Sequence, residues 1–308
     1  MTRGLRPRAW AVASLIALAL AGASCDGSAT LTTQLAPATH PALFYDDAMF
    51  FSSVRAAAAL PVPKGDVAGG IIPHDWRGGE YITWLFRSLA EGDPPTTVIL
   101  IGPNHDNEGY PGVLTSELAW STPFGLVQPD RERIDALMGL GLVSADEPVL
   151  TTEHSVAGLM PAIAYYLPGA RVVPLIIRGN AGPKDAERLG RALASQLDGT
   201  TLLVAAVDFS HDLVSSAAER NNAVTLAALR AGDSTMLFAL DNRYLDSPES
   251  IAVLMASMAS AGAGPFVLTA DTNSAALRGD ELAPTTSYLV GYYTAAASSA
   301  RTSGRPQR

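Results

Sequence analysis

The sequence predicts a single α/β domain built on a mostly parallel sheet with helices on both faces. Short runs of β-branched and other apolar residues recur along the chain, and segments with helical spacing of apolar residues lie between them. No internal repeat, heptad run or long linker interrupts residues 42–295. Because parallel strands are joined by crossover connections, usually helices, this alternation is typical of a parallel sheet.

The strand and helix predictions follow from these two periodicities. The predicted strands are residues 67–72, 97–101, 171–177, 201–207, 265–270 and 287–292. The predicted helices are residues 80–89, 130–140, 156–166, 183–197, 217–231 and 248–261. In the fourth helix, Leu189, Leu193 and Leu197 recur at helical spacing while charged residues occupy the other face, which is the pattern of core packing.

The first 24 residues predict a secretory signal peptide. Three arginines precede an apolar run over residues 9–21, and small residues follow directly before Cys25. The apolar run is shorter than the roughly 20 residues of a membrane-spanning helix. Cys25 stands where a bacterial lipoprotein signal carries its acylated cysteine, so we expect a lipid anchor there and a location on the periplasmic or extracellular face of the envelope. The alternative is ordinary cleavage near Ser24, which would release a protein whose one thiol is incidental.

The remaining sequence divides into a tether, a domain and a tail. Residues 25–41, rich in Thr, Ala and Pro, predict a tether in which His40 is solvated; residues 42–295 form the domain, and residues 296–308 are expected to be disordered. A single cysteine excludes an internal disulfide. Without residues 1–24, 18 basic residues face 30 acidic ones, and a net charge of −12 argues against a nucleic-acid partner.

Four histidines are predicted to meet at one edge of the sheet. Three predicted strands lead directly into loops that carry His74, His105 and His211, and His154 precedes a predicted helix. Ligands of such sheets bind at the carboxyl ends of the strands. One histidine after a strand is more often an ordinary hydrogen-bonding loop residue, but four together predict metal binding, proton transfer or both.

Two carboxylates accompany these histidines. Asp208 lies three residues before His211 and could fix its tautomer, although Asp is also a common turn residue. Glu153 could act as a base or cap the following helix. No phosphate-binding loop, dinucleotide fingerprint or Gly-x-Ser-x-Gly elbow follows a strand, so nucleotide cofactors are not implied.

Five motifs, taken together and in this order, resemble the MEMO family, whose bacterial members are often labelled AmmeMemoRadiSam system protein B. The resemblance covers residues 67–293. The motifs are Ile72-Pro73-His74, Leu100-Ile101-Gly102-Pro103-Asn104-His105, Trp120-Ser121-Thr122-Pro123-Phe124-Gly125, Glu153-His154-Ser155 and Asp208-Phe209-Ser210-His211.

The resemblance implies a fold similar to that of the class III extradiol dioxygenases, which hold non-haem iron(II) between two histidines and a carboxylate. It implies that His74 and His105 bind the metal and that His211, supported by Asp208, is the acid/base histidine and a further candidate ligand. Glu153 and His154 would complete the pocket wall as candidate catalytic residues.

The sequence departs from the family pattern in two places. Ala261 stands where we expect the family's cysteine ligand, which favours a harder N/O donor set and therefore iron(II), with zinc or copper as alternatives. In addition, Asp75-Trp76-Arg77 forms a bulkier loop after His74 than the family resemblance leads one to expect.

Three functions are consistent with this sequence. The first is a non-haem metal-dependent oxidoreductase of the dioxygenase type, and the second is a non-catalytic metal- or ligand-binding protein of the envelope. The third is a metal-assisted hydrolase, in which a metal-bound water acts beside Glu153 or His211. The sequence names no small-molecule substrate for any of them.

Overall fold

The computed structural model describes residues 38–296. The predicted signal peptide, Cys25, most of the predicted tether and residues 297–308 lie outside this range.

The strands are β1 (Thr39–Pro41), β2 (Val67–Ile72), β3 (Thr97–Pro103), β4 (Val113–Thr115), β5 (Ala119–Thr122), β6 (Gly125–Pro129), β7 (Ser144–Ala145), β8 (Arg171–Ile177), β9 (Thr201–Ala206), β10 (Val267–Asn273) and β11 (Ser287–Thr294). The helices are α1 (Asp47–Ala57), α2 (Gly79–Ala90), α3 (Arg131–Gly139), α4 (Glu147–Thr152), α5 (His154–Ala157), α6 (Met160–Tyr166), α7 (Pro183–Ala194), α8 (Ser215–Ala231), α9 (Ser234–Phe238), α10 (Pro248–Ser260) and α11 (Ser274–Arg278), and a 3-10 turn covers Trp76–Gly78.

The strands form one mixed, largely parallel sheet in the order β1-β5-β6-β8-β3-β9-β2-β11-β10, with β4 and β7 attached beside β8. The central strand β3 pairs in parallel with β8 and β9, and β9 pairs in parallel with β2. The late strand β11 runs antiparallel to both β2 and β10. The predicted α/β class and the mostly parallel sheet are therefore confirmed.

Each face of the sheet carries its own apolar cluster. Along β3, Leu100 belongs to one cluster while Ile99 and Ile101 belong to the other, as expected when successive side chains point to opposite faces. Helices α2 and α6 pack on the first face, and α7 and α10 pack on the second. Because both faces are covered, the central strands read as continuous apolar runs rather than as alternating ones.

The predicted helix over residues 156–166 is two helices in the structure. Helix α5 ends at Ala157, and α6 begins at Met160 with Pro161 in its first turn. Pro161 lacks the N–H that a continuous helix would need at that position, which explains the interruption. The indole Nε1 of Trp76 donates to the Gly158 carbonyl at 3.0 Å, so the break also joins this loop to the residues after His74.

His40 is buried, which corrects the prediction that it is solvated in the tether. It lies in β1, which pairs in parallel with β5, and its side chain is 1% exposed. Its Nε2 lies 2.7 Å from Ser116 Oγ and 2.8 Å from Glu147 Oε2, and its Nδ1 lies 2.8 Å from Thr151 Oγ1. These partners satisfy the buried imidazole. The folded region thus includes residues 39–41, before the predicted domain start.

Across residues 38–296, no helix combines the length and the apolar character needed to cross a membrane.

Candidate functional site

The histidine loops leave the sheet side by side. Strand β2 lies beside β9 with Ile72 opposite Ala206, and β9 lies beside β3 with Ala205 opposite Ile101. The chain therefore leaves these three strands at the same edge. His74, His105, His154 and His211 all line one cavity there.

His74 is held with one ring nitrogen directed into this site. Its backbone N–H donates to Asp208 Oδ1 at 3.2 Å, and its Nδ1 lies 3.1 Å from the carbonyl oxygen of Ala206. Since a carbonyl only accepts, Nδ1 carries the proton in this contact. Nε2 is left facing two carboxylates, at 3.4 Å from Oδ2 of Asp208 and 3.4 Å from Oδ2 of Asp246.

Glu153 holds His105 in the same manner. Its carboxylate accepts the backbone N–H of His105 at 2.8 Å through Oε2 and contacts His105 Nδ1 at 2.9 Å through Oε1. It also caps α5 by accepting the N–H of Ser155. The cap, one of the two roles predicted for Glu153, is therefore present, and the same buried side chain also holds His105. His105 Nε2 lies 3.8 Å from Oδ2 of Asp246.

Asp246 joins the two histidines, and the sequence analysis missed it. It lies just before α10, its backbone N–H donates to the carbonyl of Asp208 at 3.1 Å, and its side chain is 9% exposed. Neither carboxylate oxygen of Asp246 accepts a hydrogen bond from any residue in the described part of the chain. The only sequence signal was an acidic residue shortly before a predicted helix, which is also the signal of a helix cap; the cap itself is Ser247.

Nε2 of His74, Nε2 of His105 and Oδ2 of Asp246 are therefore three Lewis bases that face one another, with no hydrogen-bond donor between them. Nδ1 of His74 and Nδ1 of His105 each have an acceptor, so the lone pair of each Nε2 faces Oδ2 of Asp246. Such an arrangement is unfavourable unless a cation, either a proton or a metal ion, lies between the bases. Residues 38–296 hold two candidate metal-binding groups, His74 with His105 and His154, and His74 with Asp208 and Asp246.

Without a metal, the close approach of these groups shifts the pKa values of His105, Glu153 and Asp208. Burial disfavours the charged form of His105, but the carboxylates of Asp246 and Glu153 outweigh it and raise the pKa of His105 to about 10. Burial likewise opposes ionisation of Glu153, yet His105 and two backbone N–H groups lower the pKa of Glu153 to about 2. Burial raises the pKa of Asp208, with a further contribution from Asp246. The raised pKa of His105 therefore favours a protonated imidazole where a divalent cation would bind.

His154 and His211 are placed differently from these residues. The ring of His154 stacks on that of His105, with centroids 4.3 Å apart, and its side chain is 44% exposed. His211 lines the same cavity but belongs to neither candidate metal-binding group. Burial lowers the pKa of both histidines.

Asp208 does not support His211 in the way the spacing suggested. Its Oδ1 accepts backbone N–H groups of His74 and Asp75, and no hydrogen bond joins it to His211 within residues 38–296. Asp208 lies two residues after the end of β9. Beyond His211, the chain changes direction at Asp212, which has a positive φ of 55°. Asp208 therefore orients the loop that carries His74.

The expected position of the family's cysteine ligand is also wrong. Ala261 caps the far end of α10 and lines a separate cavity with Val67 and Thr201, the first residues of β2 and β9. The 13 residues of α10 span about 20 Å, from the histidine edge to the opposite edge of the sheet. Ala261 consequently has no bearing on the site, and Asp246 supplies an anionic group there.

Comparisons with known proteins identify the family and support the fold. A family model described as Memo-like protein matches residues 50–295. A MEMO1 family protein of Pyrobaculum aerophilum is 29% identical over 194 residues, which is 60% of this chain and 69% of that protein. One of Methanosarcina acetivorans is 27% identical over 246 residues, covering 77% of this chain and 88% of its own length. The crystal structure of an uncharacterized protein from Escherichia coli K12 matches with a TM-score of 0.50 and 16% identity, over 72% of this chain and 99% of that one, and so supports the fold.

Proposed function

We propose, given that this chain belongs to the Memo-like protein family, that it is a non-haem metal-dependent oxidoreductase of the dioxygenase type. The observation that carries the proposal is the approach of Nε2 of both His74 and His105 to within 3.8 Å of Oδ2 of Asp246. Two imidazoles and one carboxylate are the ligand set of non-haem iron(II) oxygenases.

The donor set fits such a metal. Asp246 presents two buried oxygens that accept no hydrogen bond from the described residues. The candidate ligands among residues 38–296 are histidine nitrogens and carboxylate oxygens, a donor set that favours iron(II) over copper(I). His74, His105 and Asp246 combine members of the two candidate groups, and iron(II) bound by them would supply a redox-active centre with open coordination positions.

The remaining residues hold the ligands and handle protons. Glu153 and the carbonyl of Ala206 fix the Nδ1 side of the two imidazoles, and this orients their Nε2 atoms. His211 faces the cavity, and burial lowers its pKa, so the ring is neutral near pH 7 and can accept a proton from a substrate hydroxyl. His154 forms the wall beside His105.

The decisive experiment measures metal content and oxygen consumption together. The native protein purified without oxygen should contain stoichiometric iron by mass spectrometry, and His74→Ala should lose it. Oxygen uptake across a panel of phenols and catechols should depend on the iron. Iron that raises the melting temperature without oxygen uptake would instead identify a non-catalytic metal-binding protein, and turnover independent of oxygen would identify a hydrolase.

We also propose that the protein is exported and attached to the envelope through an acylated Cys25, because the first 25 residues have the order of a lipoprotein signal. Mass spectrometry of the membrane-extracted protein should find the lipid on Cys25. The variant Cys25→Ser should appear in the aqueous fraction. An unmodified cysteine in a protein already in that fraction would contradict the proposal.

A further inference from the structure

The cavity in front of the candidate metal site is lined by two chemically distinct sets of residues. Its volume is about 680 Å³, within the range typical of small-molecule sites. One set is polar and contains the four site histidines and Asp208. The other set, the apolar lining, consists of Leu43, Phe44, Tyr45, Met49 and Trp76.

Arg77 is the single Lys or Arg side chain of residues 38–296 that lines this cavity. Its Nε donates to Asp75 Oδ2 at 2.7 Å and its Nη2 to Thr286 Oγ1 at 2.9 Å. A guanidinium has five N–H donors, so three of them have no partner among the described residues. The side chain is 44% exposed. The two contacts fix the guanidinium while leaving most of its donors available.

The ion pair with Asp75 leaves the other N–H donors of Arg77 available for hydrogen bonds. The carboxylate of Asp75 also accepts the hydroxyl of Tyr288 at 2.9 Å and the backbone N–H of Arg77 at 2.9 Å. Asp75 is therefore satisfied without using Nη1 of Arg77. Two parallel N–H donors are the geometry that recognises a carboxylate in a bidentate manner.

We propose that Arg77 binds the carboxylate of a small amphiphilic acid. The apolar body of this acid packs on the apolar lining, and its other end reaches the histidines. The charge of the ligand follows from the surroundings. Arg77 is the one Lys or Arg side chain among the described lining residues and the acidic residues Asp46, Asp75 and Asp208 line the cavity too, so Arg77 can hold one carboxylate, whereas a second negative charge on the ligand would be repelled. The assignment of this acid as the substrate rests on the proposed function, whereas its binding at Arg77 does not.

The test compares 3-phenylpropionate with its neutral analogue 3-phenylpropionamide, by calorimetry on the full chain after metal removal. Removing the metal excludes binding of the carboxylate to the metal itself. The acid should bind about tenfold tighter than the amide, the ratio expected for a charge-assisted hydrogen-bonded pair. Equal affinities, including no binding of either compound, would overturn the proposal without any variant.

Substitutions of Arg77 test whether this side chain causes the preference for the acid over the amide. Arg77→Gln should abolish it, and Arg77→Lys, which keeps the charge but not the fork, should reduce it. Arg243→Gln is the matched control, because Arg243 pairs with Asp241 two residues earlier, as Arg77 does with Asp75, and is not among the residues lining the cavity. A preference that survives Arg77→Gln would overturn the proposal.

Metal binding is measured separately from the preference for the acid, so the two proposals can fail independently. If the acid binds only to the iron-loaded protein and Arg77→Gln has no effect, the subsite fails while the proposed metal site stands. If no metal binds but the acid preference depends on Arg77, the subsite stands and the proposed function fails.

Discussion

Oδ2 of Asp246 lies 3.4 Å from Nε2 of His74, although His74 follows β2 and Asp246 lies in the loop before α10. The contact arises because the loop before α10 is attached to the end of β9: the N–H of Asp246 donates to the carbonyl of Asp208, and Leu245 bridges to Phe209. Since His74 follows the adjacent strand β2, a carboxylate from the far end of the chain reaches the histidine edge.

Asp246→Asn should reduce the affinity for iron(II) by more than about 100-fold, the upper range for loss of a residue that merely orients a ligand. Asparagine keeps the size of the side chain but removes the charge that would balance the metal. Metal content after dialysis and the metal-dependent rise in melting temperature are the measurements. Asp212→Asn is the control, because Asp212 lies close by, does not line the cavity and has a positive φ that asparagine tolerates.

His154→Ala should retain the metal, which distinguishes the three-histidine group from a site that uses Asp246. The side chain of His154 is 44% exposed and makes no hydrogen bond within residues 38–296 that would orient the ring, as Glu153 orients His105. We expect the metal content of this variant to match that of the native protein, measured in the same preparation as Asp246→Asn. Loss of metal from His154→Ala together with its retention by Asp246→Asn would favour a three-histidine site instead.

The sequence was sufficient to predict the central strands of the sheet and the histidines that follow them. The strands β2 and β8 have the predicted bounds, because apolar β-branched runs buried on both faces carry a strong local signal. His74 and His105 follow such strands, so the general rule for parallel sheets placed them at one edge. Membership of the MEMO family, inferred from five ordered motifs, is confirmed by the match over residues 50–295.

What the sequence could not predict depends on partners that are distant along the chain. Nothing near Asp246 distinguishes a site residue from a helix cap, since its role is set by the end of β9. Ala261 was assigned to the site from a short pattern, and the length of α10 places it at the opposite edge. Strand β1 has only three residues, too few to show a period, and the burial of His40 depends on Ser116, Glu147 and Thr151.

Gly102→Ala should destabilise the protein by roughly 1–3 kcal/mol, the range for inserting a methyl group into a packed interior. A Cβ at this position would lie 2.5 Å from Oγ and 2.8 Å from Cβ of Ser155. Ser155 is fully buried and its Oγ donates to the carbonyl of Pro103, so it cannot move aside without shifting α5. Urea unfolding measures the change in the free energy of unfolding.

The control for this substitution is Gly139→Ala. Gly139 is the last residue of α3, a Cβ there meets no atom within 4 Å, and its φ is not positive. Alanine is the better helix former, so this variant should be as stable as the native protein or more stable by up to about 1 kcal/mol. Because α5 begins beside Glu153, Gly102→Ala should also weaken metal binding while Gly139→Ala does not. Equal stability of the two variants would mean that α5 is free to move.

The burial of His40 should make the stability of the protein depend on pH. Burial lowers the pKa of His40 below its ordinary value of 6.5, and the nearby carboxylate of Glu147 opposes this without reversing it. Below pH 6.5 the unfolded chain therefore binds a proton at this residue that the folded chain resists. The free energy of unfolding should fall as the pH falls through that value, and this contribution is fully present above it.

His40→Gln isolates this contribution from that of the other histidines, because their contributions cancel in the difference between the two proteins. At pH 8 the variant should be less stable by about 1–3 kcal/mol, since the partners of the imidazole lose part of their hydrogen bonding. As the pH is lowered from 8 to 5, only the native protein must resist protonation at this position, so the gap in the free energy of unfolding should narrow. Urea unfolding of both metal-free proteins at each pH measures the gap. A gap that widens towards acid pH would show that the folded state binds the proton more tightly than the unfolded chain, with Glu147 outweighing burial.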